Sequence, residues 1–219
     1  MIKKVSKNLI FLGAPGSGKG TLASALAKVT NLIHLSTGDI FRKTIQAQTP
    51  LGLELKSIVE KGFYVPDSIT NKIVEEQLND LNKNNKNFIL DGYPRTVNQA
   101  EFLATLATSK IAKVILLDVA KDVIIQRLTK RRYCPKCQKT YHLIFKPSTK
   151  GELCEIDNTP LAQRQDDQEQ AIFKRLEIYE SETKVLVEFY KSKNLLVTLD
   201  ASDNPEKLVD KVLEIINNG

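Results

Sequence analysis

Residues 13–21, GAPGSGKGT, bring four glycines, a lysine and two hydroxyl side chains into nine positions. Such a run suits phosphate: the glycines let backbone N–H groups turn inward around an anion, and Lys19 adds a full positive charge. The apolar run before it, NLIFL at 8–12, suits a buried parallel strand. Leu22, Ala25, Leu26 and Val29 recur at helical spacing after it, so the loop opens a helix whose N-terminus favours an anion. Strand, loop and helix in this register place a nucleotide near Gly16. In the general form of this loop the residue after the lysine offers a hydroxyl to Mg²⁺. Here that place is Gly20 and Thr21 follows, so magnesium must be held differently.

A second cluster, DGYPRT at 91–96, is followed by Gln99. A carboxylate ending a strand opposite a phosphate loop is a Mg²⁺ partner acting through water, because Mg²⁺ dehydrates reluctantly. Gly92 permits close approach of a ligand, Pro94 stiffens the turn, and Arg95 can grip a phosphate with two donors. The bland alternative for Asp91 is a capped strand-to-helix turn. The third cluster is Cys134-x2-Cys137-x16-Cys154-x2-Asp157, which takes in all three cysteines. Short spacings separated by a longer arm suit tetrahedral zinc on two knuckles, with one carboxylate in place of a thiolate. A redox CxxC pair and three idle thiols compete with that reading, and His142 competes with Asp157 at a poorer spacing.

The elements that must position these residues follow from periodicity. Strands are expected at 8–12, 32–35, 87–90, 113–119 and 195–199, separated by helical patterns. That alternation predicts an α/β fold, a doubly wound five-stranded parallel sheet with ligands at the strand C-termini. Asp39, Asp91 and Asp118 then fall near one edge, while His34 reads as a strand residue without a role. A helix over 122–132 places Arg127 and Arg131 on one face, with Val123, Ile124 and Leu128 for packing. Asp166 and Asp167 read first as charges favouring the start of the next helix, and second as partners for the arginines of the 130–167 segment. Segments 36–65, mainly helical, and 130–167, rich in Gly, Pro, Cys and charge, interrupt the alternation as insertions over the site.

The chain has 219 residues, 42% hydrophobic and 26% charged, ordinary for a globular enzyme. No apolar run approaches the ~20 residues that span a bilayer. The four apolar residues before Gly13 are too few for a secretory signal, and three cysteines suit a reducing compartment, so a cytoplasmic protein is expected. A net charge of +6 would permit nucleic-acid binding. However, Lys19 and Arg95 lie in motifs tied to phosphate, a family resemblance implies the same for Arg42, Arg127, Arg131, Arg164 and Arg175, and no nucleic-acid or membrane partner is expected.

GxPGxGKGT is the form of the loop in nucleoside monophosphate kinases. With DGYPRT and STGDIFR at 36–42, the whole chain resembles the adenylate kinase family, in its long-lid form. The resemblance implies Mg·ATP + AMP ⇌ 2 ADP, with a core of 1–35, 66–129 and 168–219, an AMP-binding insertion at 36–65 and a zinc-bearing lid at 130–167. It implies ATP contacts from Gly16, Ser17, Gly18, Lys19, Gly20 and Thr21, from Arg127 and Arg131, and from Thr140, Tyr141 and Asp203. AMP would meet Thr37, Arg42, Phe63, Tyr64, Val65, Gly92, Tyr93, Pro94, Arg95 and Gln99, with Arg164 and Arg175 reaching in from the lid side. Lys19, Arg95, Arg131, Arg164 and Arg175 would act on the transferring phosphate. Thr37 and Gln99 favour adenine over the UMP/CMP branch, the nearest enzyme alternative; Gln99 would pair its amide with adenine's N1 and N6 edge. A basic zinc-ribbon nucleic-acid binder, whose affinity would fall steeply with salt, is the alternative from another class. The loop at 200–203 reads Asp-Ala-Ser-Asp, where the family often has a glycine.

Overall fold

The computed structural model describes residues 2–107 and 109–218. In chain order the strands are β1 (Asn8–Leu12), β2 (Ile33–Ser36), β3 (Phe88–Asp91), β4 (Ile111–Asp118), β5 (Arg131–Tyr133), β6 (Thr140–His142) and β7 (Leu196–Asp200). Five of them form one parallel sheet in the order β2-β3-β1-β4-β7. The expected strands are all present, each shifted by two residues at most. β1 lies in the middle and is buried at every position, which is why it reads as a continuous apolar run rather than an alternation.

Parallel neighbours require crossovers, and the helices that supply them cover both faces. Leu9 and Phe11 point to one face, where Leu22 and Leu26 of α1 (Lys19–Val29) and Val212 and Leu213 of α9 (Val209–Asn218) pack. Ile10 and Leu12 point to the other, against Val74 and Leu78 of α4 (Asp67–Lys83), Leu103 of α5 (Val97–Thr105) and Leu186 of α8 (Val185–Lys191). Each such buried side chain contributes about 1.5–3 kcal/mol, so the two apolar layers hold the strand ends, and the loops they carry, in fixed positions.

Two insertions rise from this base. The first holds α2 (Thr37–Gln46) and α3 (Pro50–Val59) around Phe41, Leu55 and Val65. The Ser36 hydroxyl caps α2 by accepting from the Asp39 N–H at 3.2 Å, and Thr49 with Pro50 starts α3 in the same way. The second follows α6 (Lys121–Thr129) and precedes α7 (Glu169–Ile178). Here one expectation is corrected: α6 ends at Thr129, and Arg131 belongs to β5, opposite His142 of β6. The backbone of 131–133 finds its partners in β6 and Ala162 rather than in a further helical turn, with the Tyr133 N–H donating to Ala162 at 2.9 Å. Arg127 and Arg131 therefore do not share a helix face.

The second insertion is drawn down onto the rest of the protein. Lys146 pairs with Glu206 at 2.6 Å, and Gln46 Nε2 donates to the Pro135 carbonyl at 3.4 Å. No helix among the described residues is long and apolar enough to cross a membrane.

Candidate active site

The glycine loop links β1 to α1. Gly18 adopts φ 100, and a Cβ there would lie 2.3 Å from Pro205 Cγ, so only glycine fits between the loop and the C-terminal segment. Lys19 opens α1 and its ammonium turns back to donate to the carbonyls of Gly13, at 2.7 Å, and Ala14, at 2.9 Å. Burial pushes this ammonium down to about 8; Asp91 opposes the shift, and Arg95, Arg175 and Arg131 reinforce it. A lysine pressed that far by its surroundings marks a site short of negative charge.

Asp91 ends β3, facing the loop. A Cβ on Gly20 would lie 3.2 Å from Asp91 Oδ2, so glycine after the lysine leaves room for the carboxylate where a side chain would crowd it. Burial works against the Asp91 charge, but the hydrogen bond from His34 and the charges of Lys19 and Arg95 outweigh it and hold the carboxyl below its ordinary range. His34 thus has a role that its sequence context does not show. Its Nε2 lies 3.0 Å from Asp91 Oδ2 and its Nδ1 3.2 Å from the Ser24 hydroxyl. Asp118 lies on the other side of the glycine loop, in a cavity of about 570 Å³ that it lines together with Ala14 of the loop, Val119, Phe173 and Leu176, and that no arginine lines.

Five guanidiniums from five separate segments form one cluster: Arg95, Arg131 and Arg175 bear on Lys19, and Arg42 and Arg164 join them beside Arg131 and Asp166. Arg131 and Arg42 depress the Arg164 guanidinium further after burial has already lowered it, and Arg131 and Arg95 do the same to Arg175. Their counter-charges are Asp39, Asp91, Asp166 and Asp167. Asp167 is wholly buried and accepts from Arg131 Nε at 2.7 Å, Arg131 Nη2 at 2.5 Å and Arg175 Nη1 at 3.2 Å. Burial would raise Asp166, but Arg175 at 3.0 Å, with Arg131, Arg164 and Arg42, brings it to about 2. Asp39 pairs with Arg42. Of the two readings of Asp166 and Asp167 the first is corrected and the second holds: α7 is capped by no side chain, and both carboxylates turn inward to the arginines. Six cations against four carboxylates leave the cluster positive. Two donors in it, Arg42 Nε and Arg164 Nε, are buried without a hydrogen-bond partner, an arrangement that anionic oxygens would satisfy.

Beside this cluster lies a cleft of about 440 Å³ bounded by Phe63, Tyr64, Val65, Asp67 and Thr96. Gly92, at φ 77, lets Arg95 and Thr37 close in: Arg95 Nε and Thr37 Oγ1 both donate to the Gly92 carbonyl at 2.8 Å. The Arg95 guanidinium lies 4.8 Å over the Tyr64 ring, whose hydroxyl is 2.8 Å from Thr183 Oγ1. Gln99 is buried, its Oε1 accepting from the Arg95 N–H at 2.7 Å and its Nε2 donating to Asp67 Oδ1 at 2.6 Å. Phe63 is half-exposed and Val65 is buried with Phe41. The Tyr93 ring is wholly buried in the sheet core and joined to Pro94 by a cis peptide, so only its backbone can face a ligand.

Above the glycine loop, Arg127 Nη2 donates to the carbonyls of Ala201 at 2.8 Å, Ser202 at 2.9 Å and Asp203 at 2.6 Å. Asp203 thus enters by its backbone, its carboxylate pairing with Lys207. Thr140 Oγ1 accepts from Arg164 Nη2 at 3.0 Å. The Tyr141 ring is buried and its hydroxyl lies 3.2 Å from Cys154 Sγ, so the side that this residue can offer to a ligand is its backbone.

The Cys134, Cys137, Cys154 and Asp157 ligand atoms lie within 4.8 Å of one another, with Cys137 and Cys154 sulfurs 3.5 Å apart and Cys134 Sγ 3.4 Å from Asp157 Oδ1. His142 stands outside the group, its Nδ1 accepting from the Ile144 and Phe145 N–H groups at 3.1 Å. The residues that sequence reasoning missed, His34, Asp67 and Thr183, act through partners distant in the chain, and no local spacing signals them.

Comparison with known proteins agrees with this geometry. The family model described as "Adenylate kinase" matches residues 11–195. The adenylate kinase of Mycoplasma mobile is 48% identical over 97% of this chain and 99% of its own length. That of Mycoplasmopsis pulmonis is 48% identical over 94% and 96%, and that of Thermotoga neapolitana 42% over 95% and 96%. With its glycine loop and its DGYPRT turn inside the 11–195 stretch that the family model matches, and with relatives aligned over 94–97% of it, the chain belongs to the adenylate kinase family.

Proposed function

We propose that the six-cation cluster holds two phosphate chains end to end, and that the chain transfers the γ-phosphoryl of ATP to AMP, reversibly, giving two ADP. The observation that carries this is the convergence of Lys19, Arg42, Arg95, Arg131, Arg164 and Arg175, with two buried donors unpaired. ATP and AMP bring roughly −6 between them, which such a cluster is built to meet as charge shifts. The loop amides from Gly16 to Thr21 and Lys19 take the ATP phosphates. Arg127 and the carbonyls it gathers border the donor base, together with Thr140 and the Tyr141 backbone. Arg42 and Arg95 take the AMP phosphate, and Gln99 with Thr37 and the 63–65 backbone takes its base. Arg131, Arg164 and Arg175 hold the phosphoryl group in flight. No side-chain nucleophile is needed, because in-line positioning of the two phosphates can contribute roughly 7–11 kcal/mol.

Asp91 is suited to hold Mg²⁺ through water; the ion, when bound, neutralises the phosphate oxygens. In the lid, sulfur–sulfur and sulfur–oxygen separations near 3.5 Å match the edges of a zinc tetrahedron with bonds of about 2.0–2.3 Å, so Cys134, Cys137, Cys154 and Asp157 fit a closed, structural zinc site. Segment 36–65 serves as the AMP-binding insertion and 130–167 as the lid, whose closure keeps water from the phosphoryl group. The protein acts as a monomer in the cytoplasm, on ATP, AMP and ADP, without nucleic-acid or membrane partners. A coupled assay of ADP formation from ATP and AMP tests this directly. Activity should be present in the intact protein, and Lys19→Met should lower kcat by at least about a hundredfold with the fold retained; a near-normal kcat in that variant refutes the assignment.

A further inference from the structure

The Gln99 side chain carries two N–H donors on one end and two acceptor lone pairs on the other, and nothing in its own shape decides which end lies where. Its surroundings do. Oε1 meets the Arg95 N–H at 2.7 Å, and Nε2 meets Asp67 Oδ1 at 2.6 Å. Turned by half a rotation, the amide would set N–H against N–H and oxygen against carboxylate, two repulsive contacts in a buried place. Asp67 is itself pinned: its Oδ2 accepts from Thr96 Oγ1 at 2.8 Å, and it occupies the first position of α4, where a negative charge is favoured. Once these partners are satisfied, one N–H and one lone pair of Gln99 remain, in a fixed order.

That order matters for the acceptor base. A 6-aminopurine presents an acceptor, N1, beside a donor, the N6 amino group. A 6-oxopurine presents the reverse, N1–H beside an acceptor oxygen. A freely turning amide could pair with either. We propose that Asp67 is the specificity-determining residue of the acceptor site, locking the Gln99 amide in the orientation that pairs with a 6-aminopurine nucleotide and opposes a 6-oxopurine one. The inference rests on the reading that Gln99 faces the acceptor base. Asp67 acts through Gln99 and not on the reacting atoms.

The test compares AMP with IMP, which reverses the two edge groups and adds nothing else. Steady-state kcat/KM for both acceptors is measured on the intact protein, Asp67→Asn, Asp67→Ser and Gln99→Ala. The amide introduced by Asp67→Asn can itself turn to meet either end of Gln99, so the carboxylate's share of the lock is lost, while the Arg95 N–H contact with Oε1 and the side-chain size are kept. The AMP/IMP ratio should fall at least about tenfold in Asp67→Asn, with IMP use rising in absolute terms. Gln99→Ala should also narrow the ratio, and adding Asp67→Asn to it should change the ratio no further. A merely structural Asp67 would lower both acceptors alike; if IMP use fails to rise in the Asn and Ser variants while Gln99→Ala does narrow the ratio, the Asp67 inference is overturned. An unchanged ratio in Gln99→Ala overturns the underlying reading of Gln99 instead. The Ser variant, compatible with the first turn of a helix, keeps the test decisive if the Asn variant folds poorly.

Discussion

Asp167→Asn separates two physical roles for one carboxylate. If Asp167 merely favoured the start of α7, replacing it with its neutral isostere would cost about 0.3–1 kcal/mol. The structure argues for more, because Asp167 is wholly buried and takes both the Nε and Nη2 donors of Arg131, whose side chain is only 18% exposed. Burial by itself lowers the Arg131 guanidinium, and it is chiefly the charge and hydrogen bonds of Asp167 that raise it above its ordinary value. Removing one member of a buried pair costs about 3–5 kcal/mol. Arg175 keeps Asp166 at 3.0 Å, so the lower end of that range, about 3 kcal/mol, is expected. At this chain length that is a fall in Tm of about 6–12 °C. Thermal and urea unfolding would measure it, with and without a bisubstrate analogue joining two adenosines through phosphates. The analogue returns negative charge to the same guanidiniums, so it should shrink the deficit. A loss at or below about 1 kcal/mol, or a deficit untouched by the analogue, would refute the pairing argument and restore the helix-start role.

The pH profile should report Lys19. With its pKa pushed down to about 8, the ammonium keeps its proton below that pH and loses it above, so kcat/KM for ATP should fall as pH rises through 8, and a profile flat to pH 10 would count against it. The same shift sets a stability slope: between pH 8 and the unfolded value of 10.5 the unfolded chain binds the extra proton, so the free protein should gain stability as pH rises across that window. Metal analysis of protein purified without chelator should find one zinc per chain; Cys154→Ser or chelation should lower Tm and lid order while leaving AMP binding nearly intact, and zinc-free protein with three titratable thiols would defeat the site. Hydrogen exchange should show the bisubstrate analogue protecting amides throughout 130–167, and exchange that ignores saturating ligand would remove the lid from the mechanism.

What the sequence determined by itself was local. A phosphate loop is a contiguous backbone shape, and the residues able to make it, Gly13 to Thr21, stand side by side. The buried strand before it and the paired spacings of Cys134, Cys137, Cys154 and Asp157 are legible for the same reason, since one or two turns of chain dictate them. What tertiary structure decided was every pairing that spans the fold. Arg131 left the helix because β6 and Ala162 offered its neighbours a ladder. Asp167 turned from a helix start to Arg131, 36 positions away, because buried charge demands a partner. His34 reaches Asp91 across 57 positions, and Asp67 reaches Gln99 across 32. Side chains so far apart in sequence leave no periodic trace, and their chemistry appears only when two strands or two helix ends are packed against each other.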